Sequence, residues 1–363
     1  MSPIENAKKI LLYSSMPSTS RHHWGTDIDI NSLEPSYFEY GRGKIEYDWL
    51  VKNGAKFGFC QTYSDFDKND RSSGYQEESW HWTYMPKSKI KGVGFYVPDK
   101  VIKNSDLEEI MDTSDEWIQE RTGIKERRWV EGDLTTSLMG TYASKIAIKN
   151  AKISKNDIDF IIFATLSPDY FFPGSGVLLQ KNLQIKEVGA LDIRNQCSGF
   201  IYGLSVADQY IKSGMYENIL VVGSEIHSGG LDKSSRGRSV SVFFGDGAGA
   251  AIVSKSNDES EILSTHLHSD GKHLKDLWME APGTNKGSWI DDPINLSKFT
   301  PKMNGREVFR NAVTRFPEVI NEALFANDLD IDDVKYIVPH QANYRISEAI
   351  AKKLNVKMDK VVS

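Results

Sequence analysis

The chain has 363 residues, 39% hydrophobic and 11% aromatic, enough to bury a substantial core as two or three domains or one large duplicated one. A formal net charge of -6 gives no general drive toward nucleic acid, so small molecules or proteins are the expected partners. No apolar run approaches the ~18 residues of a membrane span, and "KKILLY" is too short for a signal-peptide core, so the cytoplasm is the expected location. Cys60 and Cys197, the only two cysteines, lie in segments of very different character, which argues against a disulfide framework.

Residues 1–88 are crowded with Trp, Tyr, His, Ser and Asp and show little periodicity beyond a short amphipathic stretch near "EYDWLVKNGAKFGF". Within them "SRHHWGTDIDI" sets His22 and Asp29 in an H-x6-D arrangement, and "EESWHWTY" sets Glu78 and His81 in E-x-x-H. Zinc takes a small set of imidazole and carboxylate ligands, leaves a position open, and works beside a carboxylate that accepts a proton. Two histidines, an aspartate and a glutamate supply that set, although the same spacing also fits solvated loop residues. With its tryptophans, the stretch over about residues 14–86 resembles the C-terminal part of the zinc D-alanyl-D-alanine carboxypeptidases, which act on peptidoglycan peptides. The resemblance implies His22, Asp29 and His81 as zinc ligands, Glu78 as general base, and His23 as an adjacent spare. Family members carry preceding helices and an arginine-bearing segment that this stretch lacks, and their substrate is extracytoplasmic. A partial α+β zinc-peptidase segment, joined by a linker of about "KSK", is therefore expected over residues 1–88.

From Lys89 onward, apolar runs "IKGVGFYV", "IDFIIFAT", "VGALDI" and "NILVVGS" alternate with helix-patterned stretches such as "LMGTYASKIAIKNA", the mark of an α/β fold. "ISKNDIDFII" then returns as "LDIDDVKYIV", pairing Ile153 with Leu329, Asp157 with Asp333, Ile158 with Val334, Phe160 with Tyr336 and Ile161 with Ile337. Each copy follows an amphipathic helix. Two copies of one α/β unit explain this, with halves of about 89–255 and 256–363; a recurrent helix-to-strand connection is the other reading. The second copy stops soon after "LNVKMDKVVS", so the chain is expected to end inside its second unit.

In "GALDIRNQCSGFIYGLSVADQYIKSG" a strand runs through a polar turn into a helix that presents Ile201, Leu204 and Ile211 on one face. Cys197 is thereby expected at a helix N-terminus, where unsatisfied N–H groups and the macrodipole favour the nucleophilic thiolate. A small buried hydrophobe is the plainer reading. His340, in "YIVPHQANYRISEAIAKKL", stands at the end of the repeated strand. Strand ends of a duplicated α/β core share a rim, so His340 and Cys197 either meet there or are ordinary rim residues.

The motifs "GVGFYVPDKVIKNSDLEEIMDTSDEWIQERTGIKERRW", "NQCSGF", "GSEIHS", "FFGDGAGAAIV" and "PHQANYRI" together resemble the β-ketoacyl-acyl-carrier-protein synthases III, thiolase-fold condensing enzymes, from about Lys89 onward. The resemblance implies that an acyl-CoA acylates Cys197, that malonyl-acyl-carrier protein then binds and loses carbon dioxide, and that His340 stabilises the enolate oxygen. It implies Trp117 and Arg121 at the coenzyme A adenine and Arg345 at the carrier protein. Phe172, in "YFFPGSG", corresponds to an acyl-pocket residue that reaches across a homodimer interface. Without the family, Trp117 reads as core, Arg121 as a surface charge and Phe172 as a buried aromatic. The expected fold is α/β, a thiolase-like duplicated sandwich with an incomplete second half. The synthase part requires no cofactor; zinc belongs to the N-terminal segment alone.

The family also carries an asparagine in a Gly-Asn-Thr-Ser type turn and a glycine-rich C-terminal strand, and neither lies within these residues. Impaired condensation is the consequence expected. Two alternatives stand beside the synthase, a zinc D-alanyl-D-alanine carboxypeptidase and a non-catalytic fusion fragment. "GDGAGA" opens no N-terminal nucleotide-binding unit and reads as a tight, closely packed turn, and His266, His268 and His273 form a minor metal candidate.

Overall fold

The computed structural model describes residues 27–64, 77–283 and 296–363; His22 and His23 lie outside the described residues. The chain separates into two compact units, one of Met1–Ile90, Ala207–Asn218 and Val253–Ile262, the other of Lys91–Val206, Ile219–Ile252 and Leu263–Ser363.

The first unit holds a three-stranded antiparallel sheet of β1 (Asp27–Asp29), β3 (His81–Tyr84) and β2 (Phe59–Gln61), in that order. Helix α1 (Gly41–Asn53) accompanies it, and the aromatics that crowd this segment do the packing. Trp82 is buried, Tyr47 meets it edge-on at 6.4 Å, and Phe38 meets Tyr47 at 6.3 Å. The register pairs Asp27 with Thr83 and Asp29 with His81. Alternation along a strand then puts both aspartates on one face, beside Thr83 and His81. The "KSK" read as a linker is already strand from Ser88, whose hydroxyl donates to the buried Asp208 carboxylate at 2.6 Å.

The principal sheet runs in the order β4 (Ser88–Tyr96), β10 (Gly247–Lys255), β9 (Asn218–Glu225), β7 (Phe160–Ala164), β8 (Gly189–Ile193), with β7 parallel to both neighbours, while β5 (Val101–Lys103) and β6 (Glu126–Arg128) form a separate antiparallel pair. The apolar runs become central strands because both faces are covered: Ile161, Ile162 and Phe163 of β7 are wholly buried, each worth about 1.5–3 kcal/mol of transfer free energy. In the described residues, the longer helices that frame this unit are α2 (Asp115–Thr122), α3 (Thr136–Ala151), α4 (Ser175–Leu183), α5 (Gly199–Lys212), α6 (Gly305–Ala326) and α7 (Tyr344–Leu354). Gly92 and Gly94 alternate on the face of β4 pressed against α3, where a Cβ at either would collide with the α3 backbone.

The repeat is structural. In the first copy α3, a turn, β7, α4 and β8 follow one another, and the Ser154 N–H donates to Asp157 across the turn at 2.9 Å. In the second, α6, a turn, Ile337, α7 and Val361 do the same, and the Asp330 N–H donates to Asp333 at 2.9 Å. Ile161 pairs in parallel with Ala190, and the matching Ile337 with Val361. That second pairing is an isolated bridge rather than the strand expected from "VKYIV". A strand persists through its ladder, and this one finds partners only around Ile337, before Pro339, which has no N–H to donate. The tight turn expected at "GDGAGA" is confined to its start: a Cβ at Gly245 would lie 3.2 Å from the Arg128 carbonyl oxygen, but from Gly247 onward the segment is strand β10, and Gly249 has open space where a Cβ would stand.

Candidate active sites

The C-terminal ends of β7, β8 and β9 are tied together. Thr165 donates its N–H to the Ile193 carbonyl at 3.1 Å, and Glu225 accepts from the Leu166 N–H at 2.5 Å and the Ser167 hydroxyl at 3.0 Å. Cys197 follows β8 in a single 3-10 turn, Gln196–Ser198, that leads directly into α5. Gly199 brings the start of that helix to 3.1 Å (for an added Cβ) from the Ala164 side chain at the end of β7. Gln196, the residue before the cysteine, holds a left-handed φ of 48°, a conformation costly outside glycine and typical of a constrained functional turn.

The helix-terminal position is as expected; the thiol's acidity is not. Cys197 is accessible, yet the protein around it desolvates a thiolate, and the Glu225 carboxylate opposes the charge further. A backbone hydrogen bond works the other way and loses, so the pKa lies above the ordinary thiol value. His340 is moved in the direction that favours the neutral ring, since burial lowers its pKa. Among the described residues no hydrogen bond or ion pair joins His340 to Cys197.

Trp117 stands on α2, which Ser114 caps by accepting the Trp117 N–H at 3.1 Å and which ends at Gly123. Gly123 has φ 76°, and an added Cβ there would fall 2.7 Å from Tyr344 Cβ, so α2 ends directly against the N-terminus of α7. Arg345, on that first turn of α7, lies over the Phe309 ring at 5.7 Å. The guanidinium groups of Arg121 and Arg238 each come within 4.6 Å of the Trp117 ring centroid. Trp117 is thus a half-buried platform bordering a core of Ile102, Leu107 and Ile118. Phe172 is 81% exposed beside Phe171 at 75%, which overturns its reading as a buried aromatic.

In the N-terminal sheet Glu78, Asp29 and His81 come together. His81 Nδ1 lies 3.3 Å from Glu78 Oε2 and 3.5 Å from Asp29 Oδ1, while Nε2 lies 2.8 Å from Asp27 Oδ2. Burial of the ring opposes the imidazolium, but hydrogen bonds to Glu78 and Asp27 and the attraction of both carboxylates outweigh it, raising the His81 pKa. Tetrahedral zinc with bonds of ~2.0–2.2 Å sets two ligand atoms about 3.3–3.5 Å apart, the separation found between His81 Nδ1 and Asp29 Oδ1. Among the described residues no group of three His, Cys, Asp or Glu side chains is arranged to hold a metal; the third expected ligand, His22, lies outside them. The histidines of "THLHSDGKH" are held by carboxylates instead, His266 and His268 by Glu322 and His273 by Asp276.

Residues 191–271 match the family described as 3-oxoacyl-[acyl-carrier-protein (ACP)] synthase III, and residues 324–363 its C-terminal family. Beta-ketoacyl-[acyl-carrier-protein] synthase III 1 of Vibrio parahaemolyticus is 46% identical over 275 residues, 76% of this chain and 83% of that protein. The chain belongs to the β-ketoacyl-acyl-carrier-protein synthase III family. The family's protein from Methylococcus capsulatus is 45% identical over 275 residues, with the same coverage. The crystal structure of 3-oxoacyl-[acyl-carrier-protein] synthase III from Aquifex aeolicus superimposes with a TM-score of 0.69 at 43% identity, covering 76% of this chain and 83% of that one. The thiolase-like α/β fold expected from the sequence is shown by these neighbours. Residues 3–87 separately match the D-alanyl-D-alanine carboxypeptidase family.

Around the synthase III motifs, sequence reasoning missed Arg238, which sits in the unremarkable string "SSRGRSV" and declares itself only by its place over Trp117. It also missed Asp27, although the period-two pattern Asp-Ile-Asp places it on the face of Asp29.

Proposed function

We propose that residues 89–363 catalyse the initiating condensation of fatty-acid synthesis, taking an acyl-CoA and malonyl-acyl-carrier protein to a 3-oxoacyl-carrier protein. The observation that carries this is the 46% identity across 83% of a synthase III, in a chain that sets Cys197 at the start of α5 on the rim of the parallel strands. In this reading Cys197 Sγ attacks the thioester carbonyl, the bond from that carbon to the coenzyme A sulfur breaks, and the proton given up by the Cys197 thiol ends on coenzyme A, which leaves as its thiol. The N-terminal amides of α5 favour the sulfur's negative charge as it forms, which matters because the resting thiol is held above its ordinary pKa. The malonyl thioester then loses carbon dioxide, its enolate carbon attacks the acyl carbonyl, and Cys197 departs as thiolate. His340 donates an N–H to the developing enolate oxygen, a role that suits a neutral ring. Trp117 and Arg121 hold the coenzyme A adenine and Arg345 meets the carrier protein.

We also read Phe172 as an acyl-pocket residue that reaches across a homodimer, a role that its 81% exposure suits, and the synthase part as two halves of about 89–255 and 256–363 following a segment of 1–88. A cytoplasmic location follows the substrates. No helix of the described residues is long and apolar enough to cross a membrane. Intact-mass measurement after mixing with short and medium acyl-CoA thioesters tests the reading: a single acyl adduct is expected, absent in Cys197→Ala. An adduct that survives that substitution overturns it.

A second reading, for residues 1–88, rests on the convergence of Glu78, Asp29 and His81. These residues then belong to a zinc D-alanyl-D-alanine carboxypeptidase site completed by His22. Zinc, when bound, supplies a Lewis acid; Glu78 takes a proton at Oε2, and Asp29 and His81 present ligand atoms. Metal analysis of His81→Ala and Glu78→Ala tests this, with loss of zinc expected only in the first. Retention of zinc by His81→Ala overturns it.

A further inference from the structure

The N-terminal cluster has a second layer that the D-alanyl-D-alanine carboxypeptidase reading does not use. Asp27 is buried, its side chain 1% exposed, and among the described residues it meets His81 and Thr83. Its Oδ2 lies 2.8 Å from His81 Nε2, and its Oδ1 accepts the Thr83 hydroxyl at 2.8 Å. The strand register dictates this, since Asp27 stands opposite Thr83 and diagonal to His81 on one face of the sheet. The imidazole is therefore gripped from both sides. Nε2 faces a carboxylate fixed by Thr83, and Nδ1 faces Asp29 and Glu78.

An imidazole ligates through one nitrogen, and the hydrogen bond made by the other decides which one is left with a lone pair. The carboxylate at Nε2 holds the N–H of that nitrogen, so a metal that replaces the Nδ1 contact to Glu78 meets the Nδ1 lone pair. A lone structural ion pair would satisfy Asp27 without any need to orient the ring toward a second carboxylate pair. We propose that Asp27, held by Thr83, is the positioning residue that fixes the His81 ring and tautomer so that Nδ1 is the metal-binding nitrogen. This inference rests on the zinc reading of residues 1–88 and adds the residue that selects the ligating atom.

The test uses the full chain, zinc alone as the probe, and a competing chelator to set the free metal concentration. The parent is expected to bind one equivalent, and Asp27→Ala, checked for an intact fold by circular dichroism, to bind about 10–100-fold more weakly. Asp27→Asn, which keeps an acceptor for the Nε2 proton, is expected to recover a large part of that loss. Long-range proton–nitrogen NMR of the metal-free protein, recorded at alkaline pH where the ring is neutral, should place the His81 proton on Nε2 in the parent and lose that preference in Asp27→Ala. Should Asp27→Ala fail to fold, Thr83→Val removes the hydroxyl that steadies Asp27, together with its contact to the Thr62 hydroxyl, and a several-fold weaker affinity is expected. Unchanged zinc affinity in the folded variants overturns this proposal alone. A parent that binds no zinc overturns the carboxypeptidase reading and this proposal together.

Discussion

The guanidinium carbon of Arg238 lies 4.6 Å from the centroid of the Trp117 ring, the same separation that Arg121 keeps from that ring. Arg121 reaches the indole from the same helix, four positions on, whereas Arg238 arrives from far along the chain. In the proposed function this aromatic and these planar cations are the surface against which the coenzyme A adenine stacks, although each guanidinium already has a polar partner, Arg121 in Glu120 and Arg238 in the Asp112 carbonyl.

Removal of Arg238 should therefore weaken thioester binding without touching the acyl-transfer chemistry. Arg238→Ala is expected to raise the KM for an acyl-CoA about tenfold, the equivalent of ~1.4 kcal/mol, with kcat for acylation nearly unchanged. Trp117→Ala should cost at least as much, because it removes the surface common to both cations. Steady-state kinetics with the thioester varied decides this; an unchanged KM in both variants would leave the platform without a role.

The acidity of Cys197 gives a second measurable quantity. Desolvation and the Glu225 charge hold the thiol above its ordinary pKa, against the pull of the helix terminus. In a Cys60→Ser background, the pH profile of iodoacetamide alkylation should have its midpoint above that of a free cysteine. Glu225→Gln keeps one oxygen to accept the Leu166 N–H, sets an NH2 that can donate to the Ser167 hydroxyl oxygen in place of the other, and removes the charge, so the midpoint should fall and the rate at neutral pH should rise. A midpoint that does not move with Glu225→Gln would show that desolvation alone sets the thiol.

Much of this fold is legible in the sequence because the physics that builds it is local or periodic. The run from Phe160 to Ala164 reads as a central strand since burial on both faces demands unbroken apolar character. The second copy misleads because "VKYIV" has the same character, while a strand also requires a neighbour to pair with, and among the described residues Ile337 bridges Val361 alone. Cys197 is placed correctly by its strand-to-helix turn, but its pKa is raised first by desolvation from the folded surroundings and then by Glu225 at the end of β9, neither of which a local window contains. His81 and Asp29 are recognisable by residue type and spacing. Their separation of 3.5 Å depends on a strand register set by β3 as a whole.

His340 supplies a prediction with a definite sign. Burial lowers its folded-state pKa below the ~6.5 of an unfolded histidine, so between those two values the unfolded chain binds more protons than the folded one. Stability is then unaffected at pH well above 6.5, falls as pH drops through that window, and levels off below the folded pKa. Denaturant titrations of the parent and His340→Gln should diverge on acidification, the parent losing more. The difference cancels the other histidines, and parallel curves from pH 7 to 5 would contradict the assignment.

In the proposed mechanism the two chemical steps separate at His340. Acyl transfer to Cys197 there uses the sulfur, the start of α5 and the Trp117 platform, none of which includes the imidazole. Decarboxylative condensation adds a requirement, since charge develops on the malonyl thioester oxygen and a placed donor stabilises it in the transition state more than in the ground state. Loss of one such donor lowers the rate on the order of a hundredfold to a thousandfold. His340→Ala should consequently form the acyl-enzyme at close to the parent rate while its yield of 3-oxoacyl product falls by that factor. Cys197→Ala should abolish both. Intact-mass kinetics of the acyl-enzyme and a chromatographic product assay belong on one preparation, so that a folding defect would lower both readouts together. An equal fall in the two steps would place His340 in the scaffold, and a fall in acylation alone would make it the base that deprotonates Cys197.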